Sequence, residues 1–595
     1  MKSKTNETNG VFDTIELNEN SPIESSGGRL SGFKSYIYNL ISGFRRSFTR
    51  NCDSSFLSTG LDKSYYSILA CSMKVIATFL LSFGIISLVL SYFMHMNFRQ
   101  FLLDTETLNT VAIIIISLLF FTSKKKFGEM ISTSKFTSNL SIAYNQAEVF
   151  AQDSKTAKHQ EGYSTAFFLG VLAGICSVLF PSSAIVVFIL AAVYCVFIFG
   201  RPECGLMLTI FAVPFFNETS IIFLSLITFA ALLYRYLRGK RHIDFGLVQS
   251  ILLVILAYIL IRGFCTNAKF VNYGQVLNFV SFFLVFITVI SLIRSTSMLR
   301  RSIKIIMNTA RIYTIILVCY IVLCAIFSMQ TTNNYLSNFA FTGLLSALTN
   351  QRFIMSFIAI FFPLNFSMLF GDRKSPERIK NTTFFILLLV LATYFASYEF
   401  VLTILVFGII NIIFVKPKYF FLLIPCPLVA YGVIKLRSFI PAKFILNTIS
   451  TPDNNIEGIK SLVADNPLFG VGIGTDAFKT LLGEETNINS SFVNLLSHLG
   501  TVGMILLLAF VFVVLFKSVK SIYMSSITTE SAKTIAIGLV SSSLSAFSTF
   551  FFCDGLSDYR IVFLFSVVTA LAYCSGRCYD ADYIDNTSVR EYHQF

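Results

Sequence analysis

The segment Asn466-Pro467-Leu468-Phe469-Gly470-Val471-Gly472-Ile473-Gly474 carries the densest chemical signal in the chain. Glycines at alternate positions allow backbone dihedrals closed to other residues and a close approach of main chain. Their amides can meet an anion. The same spacing suits a re-entrant turn packed between helices, and spacing alone leaves both readings open. Polar residues stand around it in sequence: Asn489 and Ser490 just after, the cations Arg437 and Lys460 before it, and Arg352 in another loop. Glu399, Asp476, Glu484 and Glu485 are acids that can take a proton as general base, or simply sit solvated in loops. Asp554, Asp558 and Arg560 are close enough in sequence to pair with one another. His498 follows within an apolar run, where hydrogen bonding inside a helix bundle and a functional role are both open. There is no paired-carboxylate motif, zinc spacing or nucleotide-type phosphate loop, so neither a metal nor a cofactor is expected.

The elements that must position these residues are membrane helices. Hydrophobic residues make up 55 % of the chain and charged residues 13 %, about half the usual charged share. Mean hydropathy is +0.71. Runs such as Val75–Met96 and Thr501–Phe516 approach or reach the ~20 residues that span a bilayer. The formal net charge of +14 sits in short patches between apolar runs, which marks topology and argues against a nucleic-acid partner. The 12 cysteines lie mostly inside apolar runs without paired spacing and read as small core hydrophobes. Trp is absent, so the 65 Phe and the Tyr residues must fill any interfacial aromatic role.

Spans are predicted near 75–96, 104–122, 164–180, 182–200, 203–216, 219–236, 244–261, 273–293, 307–328, 353–370, 382–397, 400–415, 419–436, 489–516, 534–552 and 560–576. Basic clusters fall on every second loop: Lys124–Lys126, Arg235 to Arg241, Arg294 to Lys304, Arg373 to Lys380, then Lys416 and Lys418. That alternation places both chain ends in the cytoplasm and puts the loops at 330–352 and 437–488 outside. No cleavable leader is expected, because residues 1–26 are polar. A helical stripe, Phe33, Tyr36, Ile37, Leu40, Ile41, Phe44 and Phe48, with Arg45, Arg46 and Arg50 around it, can rest on an anionic leaflet or pack on the protein. The expected organisation is a cytoplasmic tail 1–60, a helix pair 75–122, a linker 123–163, a transmembrane core 164–436, the loop 437–488, closing helices 489–576 and a tail 577–595. The fold class is thus an all-α polytopic membrane protein of about 14–16 spans with one larger extracytoplasmic loop.

With these spans in place, 466–474 resembles the signature of the O-antigen ligase and polysaccharide polymerase family, an Asn/His-Pro-Leu-x-Gly-x-Gly segment in a large external loop. The polar pair Asn489-Ser490, then Leu495-Leu496 and Gly500-Thr501-Val502-Gly503, continue the pattern. Arg201-Pro202-Glu203-Cys204-Gly205-Leu206 with Val213-Pro214-Phe215 resembles the family's early spans, and Arg352 before a helix containing Pro363-Leu364 resembles another element.

The resemblance implies a GT-C-like, metal-independent glycosyltransferase of the plasma membrane that works on the outer face. Its donor would be a glycan on an isoprenoid pyrophosphate, typically undecaprenyl pyrophosphate, and its transfer would invert the anomeric centre. Arg352, Arg437 and Lys460 would then meet the leaving pyrophosphate, with Glu399 as a candidate base. Asn466, Pro467, Gly470, Gly472, Gly474, Asn489 and Ser490 would line the substrate. Membrane lipids, and a chain-length regulator or other assembly proteins, are the implied partners. Two departures favour the polymerase branch over the ligase branch. Asn489-Ser490 stands where ligases have His-Asn, and Asp453-Asn454-Asn455 where an Arg is common. A flippase for the same lipid-linked glycan is the rival outside this class, and transporters bind at mid-membrane on broken helices.

Overall fold

The computed structural model of the chain describes residues 55–95, 105–133, 162–177, 179–180, 182–238, 247–264, 273–327, 350–371, 375–395, 467–470, 490–524, 530–550 and 555–592, with isolated positions 43, 47, 348, 411, 414 and 472 besides. Among these residues there is no strand, only one isolated bridge between Ser72 and Lys126. The helices are α1 (Phe56–Ala70), α2 (Met73–His95), α3 (Thr105–Phe121), α4 (Phe127–Thr133), α5 (Tyr163–Cys176), α6 (Ser182–Gly200), α7 (Pro202–Ala212) and α8 (Glu218–Leu237). Then come α9 (Leu247–Phe264), α10 (Tyr273–Leu292), α11 (Thr296–Phe327), α12 (Gln351–Gly371), α13 (Ser375–Phe395), α14 (Ser491–Met524), α15 (Glu530–Thr549) and α16 (Tyr559–Tyr592). A helix satisfies its own backbone, which an apolar solvent demands of any segment crossing it. Six of these helices contain windows long and apolar enough to cross a membrane, and six shorter stretches are also apolar. The chain is an all-α membrane protein.

Burial separates the centre from the rim. In α16, 89 % of the apolar window is buried, and in α12 78 %, against 33 % in α8 and 39 % in α14. The rim helices turn large apolar side chains outward, among them Phe168 and Leu172 on α5 and Ile505 and Phe512 on α14. Water would not tolerate such a surface, whereas lipid does. Aromatic rings fill the middle: Phe282 of α10 stacks on Phe565 of α16 at 6.0 Å, and Phe510 of α14 meets Phe286 edge-on at 5.3 Å.

Small residues let helices close up where polar atoms must be shared. A Cβ on Gly538 would stand 1.9 Å from Ser367 Oγ, so α15 and α12 touch almost backbone to backbone. Pro363 interrupts the α12 ladder, because it has no N–H to give. Neighbours serve the carbonyls around it: Ser542 donates to Ile360 O, and Asn411 Nδ2 to Pro363 O at 3.0 Å.

Fourteen of the predicted spans coincide with helices, for example 182–200 with α6 and 273–293 with α10. Apart from the isolated positions 43, 47, 411 and 414, those at 400–415 and 419–436 and the amphipathic stripe at 33–48 lie outside the described residues. Four helices run well past their predicted ends, one of them α13, which begins at Ser375 instead of 382. α11 begins at Thr296 instead of 307, α14 reaches Met524 instead of 516, and α16 reaches Tyr592 instead of 576. The added turns carry Arg300, Arg301, Lys304, Lys517 and Lys520, so these helices continue beyond the stretch that hydropathy marks. Hydropathy does not mark α1 at all.

Helix ends assigned to one side by the basic clusters meet one another. Arg235 donates to Phe199 O at 3.1 Å and to Gly200 O, and Cys578 Sγ reaches Ile293 O at 3.6 Å. The opposite ends, from loops without basic clusters, build the site.

Candidate functional site

α14 carries a break. Gly500 lies inside it with φ 68° and ψ −173°, far from helical values, so the turn on either side loses its internal bonds. The glycine-rich segment replaces them. Thr501 N–H donates to Pro467 O at 3.0 Å and Val502 N–H to Leu468 O at 3.2 Å, while His498 O accepts from Gly472 N–H at 3.0 Å. Each of these groups would otherwise be orphaned in a span. Gly470 (φ 65°) and Gly472 (φ 107°) both sit in the left-handed region, which favours glycine. A Cβ on Gly470 would fall 2.5 Å from Ser497 O.

Side chains fasten this seat. His498 Nδ1 carries its proton toward Gly472 O at 2.8 Å, since a carbonyl can only accept. Arg262, at the end of α9, donates through Nη2 to Gly470 O at 2.8 Å and lies over the Phe469 ring. Tyr258 OH donates to Leu499 O at 2.6 Å. Leu468 and Phe469 stay exposed at the tip of the turn.

About 10 Å up α14, at 1.5 Å per residue, the helix start joins a second polar cluster. Ser491 Oγ accepts from Leu556 N–H at 3.0 Å, and Ser491 N–H donates to Phe550 O at 3.0 Å. The turn Gly555–Ser557 then leads into Asp558 and Arg560 at the head of α16. Arg560 is fully buried and held from two sides by Asp558: Nε to Oδ1 at 3.0 Å and Nη2 to Oδ2 at 2.7 Å. Its guanidinium lies 4.6 Å from the Phe353 ring centroid, a cation–π contact. Asn350 links the cluster to α12. Its Oδ1 accepts the amides of Arg352 at 3.0 Å and Phe353 at 3.4 Å as a helix cap, and its Nδ2 donates to Asp558 Oδ2 at 3.3 Å. Glu218, opening α8, accepts Tyr559 N–H at 3.4 Å, and Tyr559 OH pairs with Ser225 at 2.7 Å.

Of the predicted site residues, Pro467, Gly470 and Gly472 come together on α14. Ser490 precedes that helix, with its Oγ 3.5 Å from Phe550 O. Arg352 is half-buried in the first turn of α12, joined to the α16 head through Asn350. Arg437, Lys460, Glu399, Asn466, Gly474 and Asn489 lie outside the described residues, as do Asp476, Glu484, Glu485 and Asp554. Sequence reasoning anticipated the Asp558–Arg560 pair but gave no role to Glu218 or Arg262. Each is a single charge at the edge of an apolar run, with no motif around it.

Fold and site together define a polytopic all-helical membrane protein with a hydrogen-bonded polar cluster at one end of the bundle. No family model and no curated protein matches the chain.

Proposed function

We propose that this protein joins isoprenoid-pyrophosphate-linked repeat units into a surface polysaccharide by metal-independent, inverting glycosyl transfer in a GT-C-like bundle. One observation carries the reading. Polar residues from distant parts of the chain, Glu218, Asn350, Ser491, Asp558 and Arg560, are hydrogen-bonded into one end of an apolar bundle, and the glycine-rich segment is seated on the same α14. A lipid-linked donor needs this division between a greasy body and a polar end. The basic clusters, all on loops of the other end, support an extracytoplasmic position for the polar end.

A flippase for the same glycan is the second reading, favoured by the break in α14, since transporters bind at interrupted helices. Complementation separates the two. In cells lacking the gene, Arg352→Ala or Gly472→Ala present at wild-type abundance should leave single repeat units exposed on the outer face. Units trapped on the inner face would instead favour the flippase. Long chains that never reach their final acceptor would favour a ligase.

A further inference from the structure

Two carboxylates meet the head of α16, and their surroundings differ. Asp558 is buried, and its oxygens are committed: Oδ1 to Arg560 Nε at 3.0 Å and Arg560 N–H at 2.9 Å, Oδ2 to Arg560 Nη2 at 2.7 Å and Asn350 Nδ2 at 3.3 Å. Such a carboxylate is taken up as the counter-ion of a buried guanidinium. Glu218 is only half-buried. Among the described residues its carboxylate takes one hydrogen bond, from Tyr559 N–H to Oε2, and Oε1 takes none. The charged groups facing it are Asp558 and Arg560, which already neutralise each other. Phe216, two residues before it, is 49 % exposed.

A bland role exists for an acid in the first turn of a helix, where it faces the helix dipole. That role needs no tertiary partner. Here the amide of Tyr559, from a helix more than three hundred residues later in the chain, holds one oxygen, and the other has no partner among the described residues. A general base is built in this way, oriented by one bond and accessible through the other oxygen.

We infer that Glu218 accepts the proton of the incoming acceptor hydroxyl, an inference that rests on the transfer proposed above. In that step the acceptor oxygen forms a bond to the anomeric carbon. The bond from that carbon to the pyrophosphate oxygen breaks, and its electron pair leaves on the pyrophosphate. The hydroxyl proton passes to Glu218 Oε1. Asp558 and Arg560 then act as positioning residues, holding the Tyr559 amide against Oε2.

The test uses the full chain in membranes from cells lacking the gene, which carry their accumulated lipid-linked repeat units as both donor and acceptor. Wild type, Glu218→Gln and Glu218→Asp are compared at matched abundance, with new linkages counted across a range of pH. Loss of the base should cost Glu218→Gln on the order of a hundredfold or more in rate. Its residual rate should also lose the fall toward acid pH that wild type shows. A residue that only positions its neighbours would lower the rate without reshaping the profile, and that result would overturn the inference. Should Glu218→Gln fail to accumulate, Glu218→Asp decides: a lowered rate whose acid fall moves along the pH axis with the new carboxylate supports it, and a profile that keeps its wild-type position, whatever the rate, overturns it. A wild type that forms no linkage at any pH would remove the transfer reading itself, a failure distinct from an active Glu218→Gln.

Discussion

Gly470 and Gly500 stand back to back, each occupying the space where the other would carry a side chain. A Cβ on Gly470 would lie 2.6 Å from Gly500 N, and one on Gly500 2.5 Å from Gly470 N. Both residues also hold positive φ, so contact and conformation select the same residue type twice. The glycine-rich segment and the broken helix are one construction, and neither half has its geometry without the other.

Gly470→Ala and Gly500→Ala should therefore each destabilise the fold severely. The left-handed backbone alone costs about 1–2 kcal/mol for a residue with a Cβ, and the clash is with backbone, which cannot swing aside. Gly60→Ala is the control. It lies in α1 with nothing within 4 Å of the added Cβ, and should be neutral or stabilising by up to about 1 kcal/mol. Thermal unfolding of the three variants in detergent gives the comparison.

Asp558→Leu should be among the most damaging single changes, because it leaves Arg560 buried without its anion, at a cost of about 3–5 kcal/mol. The double variant Asp558→Leu/Arg560→Met removes both charges and should recover much of that loss. Unfolding midpoints measure the recovery. A double variant that melts no higher than the single one would show that the head of α16 depends on the charges themselves.

Arg262→Ala should loosen the seat of the glycine turn without unfolding the bundle. A hydrogen bond from a charged donor to a carbonyl contributes about 1.5–3 kcal/mol, so local opening should become roughly tenfold or more frequent. Hydrogen exchange over the peptides containing Gly472, Thr501 and Val502 reads this directly. Amides in α16, remote from the seat, should keep their protection.

If the chain transfers glycans as proposed, its activity in washed membranes should survive EDTA unchanged. A strict requirement for an added divalent ion would refute the metal-independent mechanism.

The helices were legible in the sequence because lipid imposes one rule on every span, and long apolar runs such as 182–200 and 273–293 obey it without tertiary help. Ends were less legible, since hydropathy reports where hydrocarbon lies and not where a helix stops. Thus the basic turns around Arg300 and Lys304 belong to α11 although they interrupt the apolar pattern. The glycine segment announced itself, but its seat did not. Nothing local to Leu499-Gly500-Thr501 distinguishes a break from continuous helix, because the φ of Gly500 follows from Pro467 and Leu468 filling its missing bonds. Glu218 was hidden for a related reason: the residue that orients it, Tyr559, is remote in sequence and contributes only a backbone amide.

The most deeply buried helix is also the last of the described helices to be synthesised. Phe282 waits for Phe565 to stack on it and for Ser566 Oγ to donate to its carbonyl at 2.9 Å. At ribosomal speeds of ~5–20 residues per second, the stretch between α10 and α16 takes on the order of ten to fifty seconds to emerge. For that interval the earlier spans are inserted around a vacant axis, with lipid or an insertion chaperone standing in for α16. The bundle therefore closes from the rim inward, and its polar end takes shape only when the final span slides into place.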